Sequence, residues 1–360
     1  MKGLLKLLDK LRPQFSEGGR HRKLKPLFDA IDAFHFAPLH PTRTSPHVRD
    51  PLDVKRYMVM VIVALVPCLL ASVYFFGLRV LAVIAVSYAA GGLVEVAFAV
   101  IRKEEINEGF LVTGMLFGLI LPPALPLWLV ALGVMFGVLF GKELFGGTGR
   151  NLFNPALVGR VFLAMAYPVA MSASWIAPVA RWPGRLTDWA GATDAVTSAT
   201  PLAAARSGQL AGLPELFWGN VTGSIGETSA AAIILGGLFL VLIGVANWRT
   251  VAGTLGAFLV LQAVLHAADP ARFAPPLWGL LAGGLLFGAF FMATDPVTSP
   301  VTDGAKVVYG ILIGVVTVLI RGLAGLTEGV MFAILLGNIF APLLDEVFIR
   351  IRLRRLSLEG

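Results

Sequence analysis

Ten stretches of the chain are apolar over long distances: roughly 57–77, 80–101, 109–123, 126–141, 153–172, 229–247, 250–267, 276–293, 306–321 and 328–345. A helix crossing a bilayer core needs about 20 mostly apolar residues, and shorter runs serve when paired or broken. The composition agrees, with 57% apolar and only 14% charged residues. Soluble domains run near about 45–50% and about 25%. A soluble globule, a coiled coil and a disordered chain are excluded. The pattern predicts an all-α polytopic membrane protein with about ten transmembrane helices.

The charges assign the sides. Lys and Arg alternate across the ten segments as 23 against 6, with 12 of the 23 in residues 1–56. The positive-inside rule then puts both termini in the cytoplasm. The net charge of +7 is therefore a topology signal, and nucleic acid is not a partner. The organisation expected is a basic cytoplasmic segment 1–56, a first membrane half 57–172, an outer loop 173–228, a second half 229–345 and a cytoplasmic tail 346–360. No cleavable signal peptide is visible. The N-terminal segment carries short amphipathic pieces, such as Leu27-Phe28-Asp29-Ala30-Ile31, that suit a solvated or interfacial tail, or a cover over a cytoplasmic opening.

The long loop divides the segments five and five, and odd-numbered halves are inverted relative to one another. Gly114-Met115-Leu116-Phe117-Gly118 resembles Gly284-Leu285-Leu286-Phe287-Gly288, which pairs the third segment with the eighth. Pro126-Leu127-Trp128 against Pro276-Leu277-Trp278 offers the rival pairing of the fourth with the eighth.

One cysteine, Cys68, excludes an internal disulfide, a Cys-based zinc site and an iron–sulfur cluster held by this chain alone. Four of the five histidines lie in the polar N-terminus, so no intramembrane bis-histidine haem site can form. Six acids stand at or near membrane depth: Glu95, Glu143, Asp295, Glu328, Asp345 and Glu346. Such carboxylates usually face a cavity or pathway. None pairs with a basic residue of the membrane segments by spacing, so Na⁺ or a proton is the expected partner. Glu95 is the most telling, with Gly91 and Gly92 one turn before it. Its bland alternative is a helix-interface carboxylate; for Asp295 and Asp345 it is a cap at a helix end.

Gly146-Gly147-Thr148-Gly149-Arg150-Asn151-Leu152-Phe153-Asn154-Pro155 is a glycine-rich turn opening the fifth segment. Asn151 and Asn154, three apart, are expected on one helical face, where their amides suit the edge of a heterocycle, or else simply cap the helix. In the long loop, Asp194-Ala195-Val196-Thr197-Ser198-Ala199-Thr200 precedes Pro201; by itself it is a turn with an approachable hydroxyl.

With this motif the chain resembles the family shared by the B subunit of the Na⁺-translocating NADH:quinone oxidoreductase (Na⁺-NQR) and the D subunit of the Rnf complex. The segments carrying the resemblance include Ser45-Pro46-His47-Val48-Arg49-Asp50, Asp53-Val54-Lys55-Arg56, 102–110, 142–151 and Phe291-Met292-Ala293-Thr294-Asp295-Pro296-Val297. The resemblance implies FMN attached by a phosphoester to Thr200, and riboflavin near Asn151 and Asn154. It implies quinone reduced around Gly91, Gly92 and Glu95 beneath the N-terminal tail, with Glu95, Asp295 and Asp345 serving sodium uptake or coupling. The implied assembly comprises the flavoprotein C subunit, the membrane-embedded D and E subunits, the NADH-oxidising F subunit and the A subunit, in a bacterial inner membrane. The long basic N-terminus favours the Na⁺-NQR branch. The short outer loops and the Pro-Leu-Ala after Thr200 are features of the Rnf branch. A cofactor-free channel or transporter of a small solute is the rival of a different class, because fold alone does not fix function.

The charge asymmetry yields a labelling experiment. A cysteine at Ser207 is expected to react with a membrane-impermeant maleimide in intact cells, and one at Ser357 only after lysis. The opposite pattern overturns the topology.

Overall fold

A computed structural model describes residues 13, 54–103, 109–179, 184–185, 198–324 and 326–359. Most of the basic N-terminal segment, the loop acids at 104–108 and the first part of the Asp194–Thr200 motif lie outside these residues. Within them the chain is helical and contains no strand.

In chain order the helices are α1 (Val54–Phe76), α2 (Arg79–Arg102), α3 (Gly109–Leu119), α4 (Leu127–Gly141), α5 (Pro155–Ala166), α6 (Pro168–Ala173) and α7 (Pro201–Ala205). They continue as α8 (Leu213–Trp218), α9 (Ala230–Leu242), α10 (Trp248–Ala268), α11 (Pro276–Leu281), α12 (Leu285–Phe287, running into a π-turn over Gly288–Met292), α13 (Asp303–Leu323) and α14 (Val330–Glu359). Among the described residues, six stretches are long and apolar enough to cross a membrane: Tyr57–Phe76, Arg79–Arg102, Leu127–Phe145, Trp248–Ala268, Asp303–Leu323 and Val330–Arg354. The other four expected segments form shorter or interrupted helices. Pro168 begins a new helix after α5, dividing the run 153–172. The run 276–293 breaks at 282–284, where Gly283 takes a left-handed φ of +71°.

Helix starts follow local chemistry. Asn154, Ser229 and Asn247 each accept from backbone N–H groups of the first turn of α5, α9 and α10. The proline turn between α3 and α4 is held from outside itself. Buried Arg79 donates Nε to Pro123 O at 3.1 Å and Nη2 to Leu125 O at 3.0 Å, satisfying carbonyls the turn leaves open.

Packing repeats along the chain. In the first set, α2 packs on α3 and α4, α4 on α5, and α1 on α3. In the second, α10 packs on α11 and α13, α13 on α14, and α9 on α12. The sets meet where α1 touches α9 and α5 touches α14. Small residues let backbones touch. A Cβ on Gly310 of α13 would stand 2.5 Å from Thr250 O of α10, and one on Gly159 of α5 2.5 Å from Gly133 O of α4. Outward residues such as Leu70, Leu242 and Val260 are exposed apolar side chains, as lipid contact requires.

Helix propensity favours Gly→Ala by about 0.8–1 kcal/mol at any interior position. Gly310→Ala is nevertheless expected to lower the thermal midpoint of the detergent-solubilised protein, by an overpacking cost of about 1–3 kcal/mol. Gly256→Ala, with nothing within 4 Å of the new methyl, is expected to leave it unchanged or raise it.

Candidate functional site

Two small polar chambers are buried in the bundle, and α5 contributes to both. The first, of about 70 Å³, lies at the start of α5 and is lined by Lys142, Thr148, Asn151, Asn154 and Asp295 among apolar neighbours including Phe291. The two asparagines do not share a helical face. Asn151 precedes the helix and donates Nδ2 to Phe153 O at 3.1 Å, while Asn154 is the N-cap, its Oδ1 accepting from Ala156 N at 3.1 Å. Both residues line the chamber, and no hydrogen bond among the described residues engages Asn151 Oδ1 or Asn154 Nδ2. Asn338 reaches the same corner, its Oδ1 accepting from Asn154 N at 3.4 Å.

Asp295 lines this chamber half-buried, accepting from Val297 N and Thr298 Oγ1, each at 3.1 Å. Withdrawal from solvent holds its carboxyl above the usual carboxylate range; those two hydrogen bonds and the Lys142 charge oppose that shift. Asp345 is not part of the chamber lining. Its oxygens accept from Val301 N at 2.7 Å, Thr302 N at 2.8 Å and Thr302 Oγ1 at 2.7 Å, which ties α14 to the entry of α13.

Glu95 corrects the sequence reading. It is 5% exposed and faces a cation: Lys142 Nζ, just past α4, lies 2.6 Å from Glu95 Oε1. Lys142 is itself 2% exposed and lines the first chamber, so Glu95 is joined to it through Lys142. Thr148 Oγ1 stands 3.5 Å from the same oxygen, and Oε2 is buried without a partner. Three more of the six acids also have basic partners. Glu143 pairs with Arg102 and Glu328 with Arg321, each at 3.0 Å, and Glu346 with Arg350 four residues on, at 2.6 Å. Arg102 and Arg321 close the ends of long helices, where the charge count had treated them as topology signals only. Gly91 serves helix packing, since a Cβ there would meet Val134 of α4 at 3.0 Å; Gly92 has ordinary clearance from Phe110, 3.6 Å.

The second chamber, of about 60 Å³, is lined by Thr200, Arg160, Thr222, Ser224, Glu227 and Glu328. Thr200 is half-buried at the start of α7, its Oγ1 accepting from Ala203 N at 3.4 Å. Arg160 of α5 reaches Glu227 at 3.0 Å. The sequence count had placed Arg160 with the cytoplasmic charges; it is buried inside the bundle beside Thr200's chamber instead. Glu227 went unnoticed among the membrane acids because it falls at the end of the long loop, two residues before the apolar run 229–247. Burial pushes the Glu227 carboxyl up, with Glu328 adding to the shift and Arg160 opposing it. Gly284 N donates to Glu328 Oε2 at 2.9 Å, so the break between α11 and α12 is clasped by this carboxylate. No group of metal-ligating side chains forms among the described residues.

An all-helical bundle with membrane-length helices around chambers lined by polar groups defines a multi-pass membrane protein. Residues 41–353 match the NQR2, RnfD, RnfE family, and the chain belongs to it. It is 38% identical to the B subunit of the Na⁺-translocating NADH-quinone reductase of Ectopseudomonas mendocina, over 98% of each chain. It is also 38% identical to the subunit of that name from Pseudomonas paraeruginosa, over 99% of this chain and all of the other. The Klebsiella pneumoniae counterpart is 37% identical over the same shares.

The Glu95–Lys142 pair is measurable. Lys142→Met leaves a buried carboxylate unpaired and is expected to cost about 3–5 kcal/mol. Lys142→Met combined with Glu95→Gln is expected to cost less than Lys142→Met alone. Equal midpoints for the single and double variants in thermal unfolding count against the pair.

Proposed function

We propose that the chain is the membrane subunit of a Na⁺-translocating NADH:quinone oxidoreductase, the Na⁺-NQR branch of its family. In this reading electrons pass from FMN esterified to Thr200, through riboflavin beside Asn151 and Asn154, to quinone near Gly91, Gly92 and Glu95, with Na⁺ translocation coupled in the whole complex. The A, C, D, E and F subunits are the partners, and the bacterial inner membrane, with both termini cytoplasmic, is the site. The near-full-length similarity to B-subunit relatives, branch included, supports the assignment. One structural observation carries the chemistry: the motif's last hydroxyl, Thr200, stands in the wall of a buried polar chamber.

Ten segments in two inverted halves remain part of the proposal. The repeated packing of α1–α5 and α9–α14 supports it, because α3 and α12 hold corresponding places, as the glycine motif pairs them. The rival pairing of the fourth segment with the eighth draws no such support.

Flavins, when bound, supply the one- and two-electron chemistry, and the chain's residues bind, orient and insulate. Asn151 Oδ1 and Asn154 Nδ2 offer an acceptor and a donor to the edge of a flavin ring. Lys142 holds Glu95 in place and lines the first chamber together with Asp295, so a cation arriving at either acid meets an internal ammonium as competitor. Glu95→Gln is therefore expected to change the Na⁺ dependence of quinone reduction in the assembled complex, with flavin content unchanged.

The decisive test is Thr200→Ala. Flavin fluorescence of the denatured protein should disappear while membrane insertion persists, and mass spectrometry of the wild-type peptide containing Thr200 should show the FMN mass. Covalent flavin surviving the substitution refutes the attachment site. A colourless wild-type band, from a host able to attach flavin, favours the transporter reading.

A further inference from the structure

The chamber beside Thr200 holds a buried cation with an unused donor. Arg160 is 5% exposed. Its Nη1 donates to Glu227 Oε1 at 3.0 Å, while its Nε is buried with no hydrogen-bond partner. A charged donor left unpaired in a protein interior is costly, and such groups are normally satisfied by protein, water or ligand.

The other polar groups around this space narrow what could satisfy it. Glu227 is committed to Arg160. Glu328 is committed to Arg321 at 3.0 Å, Gly284 N at 2.9 Å and Gly329 N at 3.0 Å. The two cations and two carboxylates cancel in formal charge. The donors left for an incoming group include Arg160 Nε, the hydroxyls of Ser224, Thr228 and Thr327, and the hydroxyl pair of Thr222 and Ser198, 2.6 Å apart, in which one hydrogen remains to be shared outward. A chamber of about 60 Å³ with this inventory suits a small oxyanion. Thr200, in its wall, is the residue that would carry one.

We propose that Arg160 is a binding residue for the phosphoryl group esterified to Thr200, with Nε directed to a phosphoryl oxygen and Nη1 kept on Glu227. The proposal rests on the reading that Thr200 carries FMN. Guanidinium is the side chain best suited to this double duty, because its planar fork presents separate donor edges to two oxyanions. The consequence reaches beyond anchoring. Arg160 lies six residues after Asn154 on the rigid helix α5, about 9 Å along its axis at 1.5 Å per residue. One helix then fixes the attachment point of the first flavin relative to the chamber assigned to the second.

The test uses the complete complex, purified from a host that attaches flavin. Arg160→Gln alone would strand Glu227, so the working variant is R160Q with E227Q, which leaves a neutral hydrogen-bonding pair; R160K keeps the cation. Two quantities are read. One is the fraction of Thr200 peptide carrying FMN, by mass spectrometry. The other is the rate at which added phosphodiesterase releases FMN from the folded complex. The expected result is at least a fivefold drop in attachment or at least tenfold faster release in R160Q/E227Q, with R160K, which keeps the charge but not the fork, between that variant and wild type. Wild-type attachment and wild-type release in R160Q/E227Q overturn the proposal while leaving FMN on Thr200 intact. Equal loss in R160K and R160Q/E227Q assigns the effect to packing and also overturns it. A wild-type Thr200 peptide without FMN removes the underlying reading, and the proposal with it.

Discussion

A charge withdrawn from water in so apolar a bundle needs a partner, and for three buried cations of this chain that partner is a carboxylate from elsewhere in the sequence. Lys142 finds Glu95 across the α2–α4 contact, Arg160 reaches from α5 to Glu227 in the long loop, and Arg321 at the end of α13 meets Glu328. Breaking any of these pairs strands a buried ion, at a cost of about 3–5 kcal/mol. The pairs therefore fix how α2, α4, α5 and α13 sit against their neighbours, and they set the walls of both chambers. The polar interior and the helix arrangement depend on each other.

Glycines and interrupted helices let polar backbone come to depth. Close contacts at Gly133, Gly159 and Gly310 bring helix backbones together where no side chain fits between them. The break at 282–284 presents the N–H of Gly284 to Glu328, and a side chain on Gly283 or Gly284 would collide with Glu328 or Glu227. Irregular backbone is tolerated at membrane depth only where protein or water satisfies it. Here a carboxylate and the buried Arg79 do so, the first at the α11–α12 break and the second at the proline turn. Short α5 then begins at one chamber with Asn154 and carries Arg160 into the other.

Much of the helical layout was legible. The expected runs 80–101 and 250–267 correspond to Arg79–Arg102 and Trp248–Ala268, because continuous apolar sequence bounded by polar residues leaves few other choices. The runs 153–172 and 276–293 are each interrupted; glycine and proline are frequent throughout this chain, and only packing decides which of them break a helix. Of the site residues, Asn151, Asn154 and Asp295 meet in one chamber, a grouping the sequence did not reveal, since it set the asparagines apart for a heterocycle and Asp295 for a cation. Their grouping with Lys142 was not readable, since Lys142 presents itself in sequence as one more topology charge. Asp345 reads as a membrane-depth acid and is engaged as a cap.

The sequence by itself determined the all-helical membrane character and the family, because apolar run length and contiguous motifs are local properties written directly in residue order. It also singled out Thr200, through the motif that ends there. Only the tertiary structure decided which charges neutralise one another and which hydroxyls share a chamber with Thr200. Glu95 and Lys142 lie 47 positions apart, and Arg160 and Glu227 lie 67 apart. No periodicity spans such distances. These pairs exist because helices stacked in an apolar medium bring buried charges together across their contacts, where an ion without a partner cannot remain.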